Sequence, residues 1–328
     1  MLLPLNRANA TIMATEKYRL VTRSDFDGLV CGTLLRELAL IDDITFVHPK
    51  DMQDGIVQIT ARDIVTNLPY VEGCHLAFDH HSSEVSRKGD RTYPNHIIEP
   101  DAPSAARVVF NYYGGAKSFP RVSAELMAAV DKADAAQFTG DEILNPQGWV
   151  LLNFLMDSRT GLGRFRDFRI SNYDLMMQLI EQCRNHGIED VLALPDVRER
   201  VELYTAHHDL FVAQVRRCTA VHGKLAIIDL RDEEVIYAGN RFTIYALFPE
   251  CDISVHVMWG VKKQNTVFAI GKSILDRNSP IDVGAVCLEY NGGGHRAAGT
   301  CQIPNDRAET VKTELIAALS RGPFKSAA

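Results

Sequence analysis

Residues 18–22 (YRLVT) are apolar and β-branched, the polar turn SDFDG follows, and the apolar run LVCGTLLRELAL comes next. Strand, polar turn and helix in that order open a parallel βα unit. Short apolar runs recur at ITFVH (44–48), within ARDIVTNLPY (61–70, ended by Pro69), at CHLAF (74–78) and at NHIIE (95–99). Separated by helix-length segments, they predict an α/β fold with a doubly wound, mainly parallel sheet.

Helical spacing continues over 103–113, 122–134 and 147–156, and NYDLMMQLIEQCRNHG is expected to end on Gly187 as a C-cap. A charged amphipathic helix over about 196–217 reads as a connector. A second α/β pattern then begins at KLAIIDL (224–230). ISVHVMWG (253–260) and TVFAIGKS (266–273) are adjacent strands, followed by a helix near 281–289, the glycine block NGGGHRAAG, a short strand and a last helix at 306–320. The expected organisation is a tail over 1–16, a first domain over 17–192, a helical connector over 193–220, and a smaller α/β domain over 221–322, with the site in the cleft between domains.

Composition narrows this picture. The chain has 328 residues, of which 46% are hydrophobic and 23% charged, as globular domains are. A net charge of -7 argues against a long nucleic acid gripped by its phosphates. The seven Cys include no CxxC pair, which favours reduced thiols over a disulfide framework. No apolar run reaches membrane-spanning length, and a cytoplasmic location is expected.

Ligands bind doubly wound sheets at the carboxyl ends of the strands, and SDFDG, NLPY and DHH all fall there. Asp25 and Asp27 flank Phe26. Period-2 geometry would aim both carboxylates one way, and two anions that close call for a cation. The plainer alternative has Asp27 capping a helix that starts near Leu29. Asp79-His80-His81 ends an apolar strand, and its oxygen and nitrogen donors suit Mn²⁺, Mg²⁺, Fe²⁺ or Zn²⁺. Asp131 and Asp134 in AAVDKADAAQF are spaced to share a helix face, and one is needed at the site. Gly292, Gly293 and Gly294 leave backbone N–H groups uncovered for an anion, while His295 and Arg296 offer donors to a phosphate. His207-His208 reads as surface, and Trp149 and Trp259 as core.

In this order the blocks resemble the DHH phosphoesterase superfamily. DFDG matches its first block, Asp79-His80-His81 its naming motif, ADAAQF (133–138) its later aspartate block, and NGGGHRAAG the phosphate-binding block of the DHH-associated C-terminal domain. The resemblance spans roughly residues 17–320. It implies divalent ions, Mn²⁺ first among them, with Asp27, His80 and Asp134 as metal residues and Asp79 beside them. It makes Asp25 and His81 catalytic, and Gly292, Gly293, Gly294, His295 and Arg296 binders of the substrate's distal phosphate.

Two positions depart from the family pattern. Its upstream His falls at Val21 or Arg23, and its metal-bridging aspartate falls at Asn67, with Asp63 the weaker match. The expectation is one ion in place of two, with Arg23 supplying positive charge and phosphate contact at the other position. The implied function is metal-dependent hydrolysis of a short nucleotide or a small phosphate ester or anhydride, in the exopolyphosphatase-related group. The alternative is a degenerate member that binds nucleotide or phosphate without turnover. The expected partner is a small phosphorylated ligand or short oligonucleotide, with no long nucleic acid and no membrane; a homodimer stays open.

Overall fold

The computed structural model describes residues 17–81, 84–85, 89–165 and 167–320, so the expected tail over 1–16 lies outside the described residues. The first sheet contains β1 (Tyr18–Thr22), β2 (Ile41–Phe46), β3 (Asp63–Thr66), β4 (Leu76–Asp79) and β5 (His96–Ile98), all parallel, in the order β2-β1-β3-β4-β5. The order reverses between β1 and β3, which is where such sheets open a ligand crevice.

Period-2 alternation sorts the strand side chains to two faces. Leu20, Ile64 and Phe78 join the large core around the helix Phe26–Glu37, while Val21, Val65 and Ala77 form a smaller cluster with Val47 and Met52. That helix is buried nearly all round, packed by Ala105–Tyr112, Ala124–Asp134 and Asn172–Asn185.

Local chemistry moves several element ends. β2 begins at Ile41, ahead of the expected start at Ile44, because Ile41 pairs with Tyr18. β3 stops at Thr66, since Asn67 adopts a left-handed φ of 55° ahead of Pro69. Gly187 is not a C-cap: the helix Asn172–Asn185 ends on extended His186, and Gly187 precedes the next helix, Ile188–Ala193.

The helix Pro195–Cys218 leads into the second sheet, β6 (Thr219–His222), β7 (Leu225–Asp229), β8 (Ile253–Trp259), β9 (Thr266–Lys272), β10 (Gly293–His295) and β11 (Ala298–Ile303). Its order is β10-β11-β9-β8-β7-β6, with only β7 and β8 parallel. The helices Val283–Glu289 and Ala308–Leu319 cover one face. The other face shares a core with the first domain, where Phe138, Ile143 and Phe154 meet Ala226, Ile228, Phe242 and Tyr245.

His207 and His208 are not spare surface groups. His207 Nδ1 accepts from Ala238 N at 3.1 Å, and His208 Nε2 donates to Leu144 O at 2.8 Å, so the connecting helix ties both domains. All seven cysteines are unpaired. Among the described residues, no helix is long and apolar enough to cross a membrane.

Candidate functional site

Three strand ends deliver the polar groups. After β1 the chain folds back so tightly that a Cβ on Gly28 would stand 2.0 Å from Arg23 O, so the DFDG turn requires glycine there. The helix begins at Phe26, earlier than the expected start near Leu29. Asp25 is therefore its N-cap, accepting from Gly28 N at 3.0 Å, and the period-2 pairing of Asp25 with Asp27 does not apply. Asp27 is turned inward, 2% exposed, and accepts from Ala105 N and Ala106 N at 3.0 and 2.8 Å. Its carboxylate thus sits at the N-terminus of the helix Ala105–Tyr112, where the helix dipole favours negative charge.

At the end of β4, Asp79 Oδ1 accepts from His80 N, His81 N and His81 Nδ1, at 2.8, 3.2 and 2.7 Å. This one oxygen turns the chain and fixes the His81 ring, leaving Nε2 as the nitrogen free to meet a ligand. The His80 ring is held by Nδ1 on Ala102 O at 3.0 Å. Its Nε2 lies 2.9 Å from Asp134 Oδ2 but makes no well-directed hydrogen bond with it.

Asp27, His80 and Asp134 each offer a donor atom, all within 4.8 Å of one another. Asp79, His80 and His81 form a second such group. Asp131 is drawn elsewhere: Arg107 pairs with it and Ser104 Oγ donates to it at 2.8 Å, leaving Asp134 as the residue of that helix at the site. Asp63 lies at the opposite end of β3, paired with Arg19 at 2.7 Å, and so cannot bridge anything here.

The two altered positions meet on Asp25. Arg23 Nε lies 3.0 Å from Asp25 Oδ2, and Asn67 Nδ2 donates to Oδ1 at 3.1 Å. Val21 is fully buried in the sheet.

The electrostatics ask for a cation. Burial raises the Asp27 pKa and Asp134 raises it further. Burial also raises Asp25, which Arg23 partly offsets. Burial pulls the His80 pKa down, yet Asp134 and Asp27 outweigh it and the net shift is upward. Among the described residues, buried His80 Nε2, Asp79 Oδ2 and Asn67 Oδ1 have no hydrogen-bond partner, which is costly for groups with nothing to bind. Oxygen and nitrogen donors converging in this way fit a divalent ion such as Mn²⁺ or Mg²⁺.

The second domain faces this edge. The His295 ring stacks 6.2 Å from that of His81, at 29°. The glycine block runs into an edge strand, so its backbone N–H groups are not all left uncovered as the sequence suggested. Gly294 pairs with Gly299, and Gly292 N is committed to Cys287 O at 2.8 Å. A Cβ on Gly294 would stand 2.4 Å from Ala298 O, whereas one on Gly293 would meet nothing within 4 Å. Arg296 lies next along the β10–β11 turn, exposed.

Sequence reasoning missed Asp157, Arg159 and Arg241. Arg159 Nε donates to Asp157 Oδ1 at 2.7 Å, and Arg241 Nε lies 3.5 Å from Oδ2. The signal was present: DSRTG is a polar burst directly after the apolar helix Gly148–Met156, as SDFDG and DHH are after their strands.

No family model and no curated protein sequence matches the chain. Among solved structures it is similar to the pGpG-specific phosphodiesterase PggH from Vibrio cholerae, with 60% identity and a TM-score of 0.82 over 93% of this chain and 100% of that one. It also aligns with RecJ from Thermus thermophilus in complex with Mn²⁺, at 15% identity and a TM-score of 0.49, over 93% of this chain and 52% of that one. That distant likeness carries no weight beside the first. Its parallel sheet, its Asp-His-His strand end and its likeness to a phosphodiesterase along that relative's whole length agree: the chain belongs to the DHH phosphoesterase superfamily.

Proposed function

We propose that the protein hydrolyses the phosphodiester of a short linear dinucleotide, with pGpG the first candidate because the 60%-identical relative is specific for it. The observation that carries this reading is the convergence of Asp27, His80 and Asp134, with donor atoms within 4.8 Å of one another, at the carboxyl-end edge of the parallel sheet. These three residues would hold a divalent ion, with Mn²⁺ the first to try. A divalent ion there supplies positive charge to the phosphoryl group and activates water.

The chain's own groups supply the rest. Asp79 fixes the His81 ring, and His81 presents Nε2 to the substrate phosphate. His295 and Arg296 approach the same phosphate from the second domain. Arg23 balances the charge of Asp25 and Asn67 donates a hydrogen bond to it, which favours one firmly held ion over two. The net charge of -7 favours a small substrate over a long chain of nucleotides or phosphates, and a cytoplasmic setting agrees with unpaired cysteines.

The test is a hydrolysis panel with Mn²⁺ containing pGpG, a cyclic dinucleotide, 3'-phosphoadenosine-5'-phosphate, pyrophosphate and polyphosphate. The reading predicts two GMP from each pGpG, activity lost with a chelator, and little turnover of polyphosphate. If pGpG stabilises the protein against heat yet no compound in the panel is cleaved, the protein is a binder and the hydrolase reading fails.

A further inference from the structure

Asp157 stands between guanidinium groups from two domains. Arg159 belongs to the short turn Ser158–Thr160 after the helix Gly148–Met156. Arg241 comes from the second domain, just beyond Gly239, whose N–H donates to Thr160 O at 3.0 Å. A backbone bond thus clamps the two segments together across the interface. Arg23 completes the group from the β1 end, 3.0 Å from Asp25. It lies close enough to Arg241 for its charge to lower the Arg241 pKa, and Arg159 is close enough to act on both Arg241 and Asp25.

Three guanidinium groups face Asp157 and Asp25, and Arg159 is also near enough to Asp134 to feel its charge. With Asp134 drawn to an ion beside Asp27 and His80, two carboxylates are left for the three. Among the described residues, buried Arg241 Nε makes no hydrogen bond, Asp157 Oδ2 lying 3.5 Å away, although the group is a strong donor. Burial, then the neighbouring Arg159, lowers the Arg241 pKa to about 10. His256 gives no relief: burial and Arg241 drive its pKa to about 4, so it is neutral at ordinary pH and carries no negative charge. A domain staple would need only one arginine on Asp157. Like charges gathered side by side repel, an anion that joins them relieves the repulsion, and guanidinium forks match phosphate oxygens.

Position adds to this. Arg23 follows β1 and His81 follows β4, with β3 between them. At the usual strand spacing the two points are about 10 Å apart along the sheet edge. The second domain places His295 beside His81 after β4, and Arg241 against Asp157, near enough to Arg23 after β1 to feel its charge. The candidate centre is therefore flanked on both sides by groups suited to phosphate.

We propose that Arg23, Arg159 and Arg241 form a subsite for the terminal phosphate monoester of a linear nucleotide, on the Asp25 side of the centre. The proposal rests on the phosphoesterase reading of that centre. It makes the protein a reader of the 5'-phosphate, a group that a cyclic dinucleotide and an unphosphorylated one both lack.

The experiment measures calorimetric binding of pGpG and of GpG, with Ca²⁺ in place of Mn²⁺ to suppress turnover. It uses the wild type, Arg159→Gln, Arg241→Gln and Arg241→Lys, each checked for folding by thermal melting. Wild type binds pGpG about 100-fold more tightly than GpG. Either Gln variant reduces that ratio to less than about 10-fold while GpG affinity stays within about twofold. Arg241→Lys, which keeps the charge and loses the fork, gives an intermediate ratio. Undetectable pGpG binding, a wild type that does not discriminate, an unchanged ratio in both Gln variants, or parallel weakening of both ligands overturns the subsite. Failure to cleave pGpG with Mn²⁺ counts against the hydrolase reading alone, because the binding ratio is read without turnover.

Discussion

Asn67 Nδ2 donates to Asp25 Oδ1 at 3.1 Å, so an amide proton occupies the place where a carboxylate oxygen would call for a metal ion. The contact spans the β1/β3 switch point, and it depends on Asn67 accepting a left-handed φ of 55°, which asparagine tolerates better than most residues. Arg23 holds the other Asp25 oxygen. On this account one half of the centre is closed by the protein itself, while Asp27, His80 and Asp134 bring donor atoms within 4.8 Å of one another, placed to share an ion.

Asn67→Asp should reopen that half. The Asn67 side chain is buried, only 2% exposed. A second carboxylate facing Asp25 there is costly without an ion, by about 3 kcal/mol. The melting temperature should fall by several degrees in chelator and recover in Mn²⁺, with bound Mn²⁺ per chain rising from one to two by metal analysis. An equal loss of stability with and without Mn²⁺ would show that the position has no bearing on metal.

Asp79 should act through His81. Asp79→Asn keeps an acceptor for the two backbone N–H groups but loses the charge that orients the imidazole. A fall in kcat/KM of about 10–100-fold is expected, with little change in melting temperature. The double variant with His81→Ala should be no worse than His81→Ala alone, since both remove one unit. Additive losses would mean that Asp79 works independently.

The two neighbouring glycines should behave oppositely. Gly294→Ala places a methyl 2.4 Å from Ala298 O. It should cost about 1–3 kcal/mol, opening the β10–β11 pairing beside His295. Gly293→Ala meets nothing within 4 Å. Its effect should stay within about 0.5 kcal/mol, as at an ordinary surface position. Chemical denaturation measures both. Similar costs would contradict the edge-strand packing.

Acid should weaken one clamp in the second domain. Burial raises the Asp229 pKa, but bonds from Arg231 and Lys312 outweigh it and hold the group down at about 2. The folded pKa lies below the ordinary carboxylate value of about 3.9. Its stabilisation is therefore complete above that ordinary value and is lost as the pH falls through about 2. With partial solvent screening, Asp229→Asn should cost about 1–2 kcal/mol near neutrality, shrinking toward zero as the pH approaches about 2. A cost independent of pH would remove the electrostatic cause.

Much of this was legible because strand ends write themselves as apolar runs stopped by polar residues. Asp79-His80-His81 could be placed at the end of β4, and Asp27, His80 and Asp134 could be put together, from spacing and family resemblance alone. Finer geometry escaped where a neighbour in space decides it. Asp25 became a cap because the helix starts at Phe26, and no periodicity fixes a helix start to one residue. The glycine block became a strand because Ala298–Ile303 pairs with it. Asp157 and Arg241 are distant in sequence and meet only across the domain interface, so no local pattern links them.

The most direct test is the rate of pGpG cleavage in Mn²⁺ by wild type and by His80→Ala, with folding of the variant confirmed by melting. Loss of a ligand that shares the ion with Asp27 and Asp134 should lower kcat/KM by about 1,000-fold, or roughly 4 kcal/mol of transition-state stabilisation. A folded His80→Ala protein that cleaves pGpG at the wild-type rate would contradict the assignment of this centre.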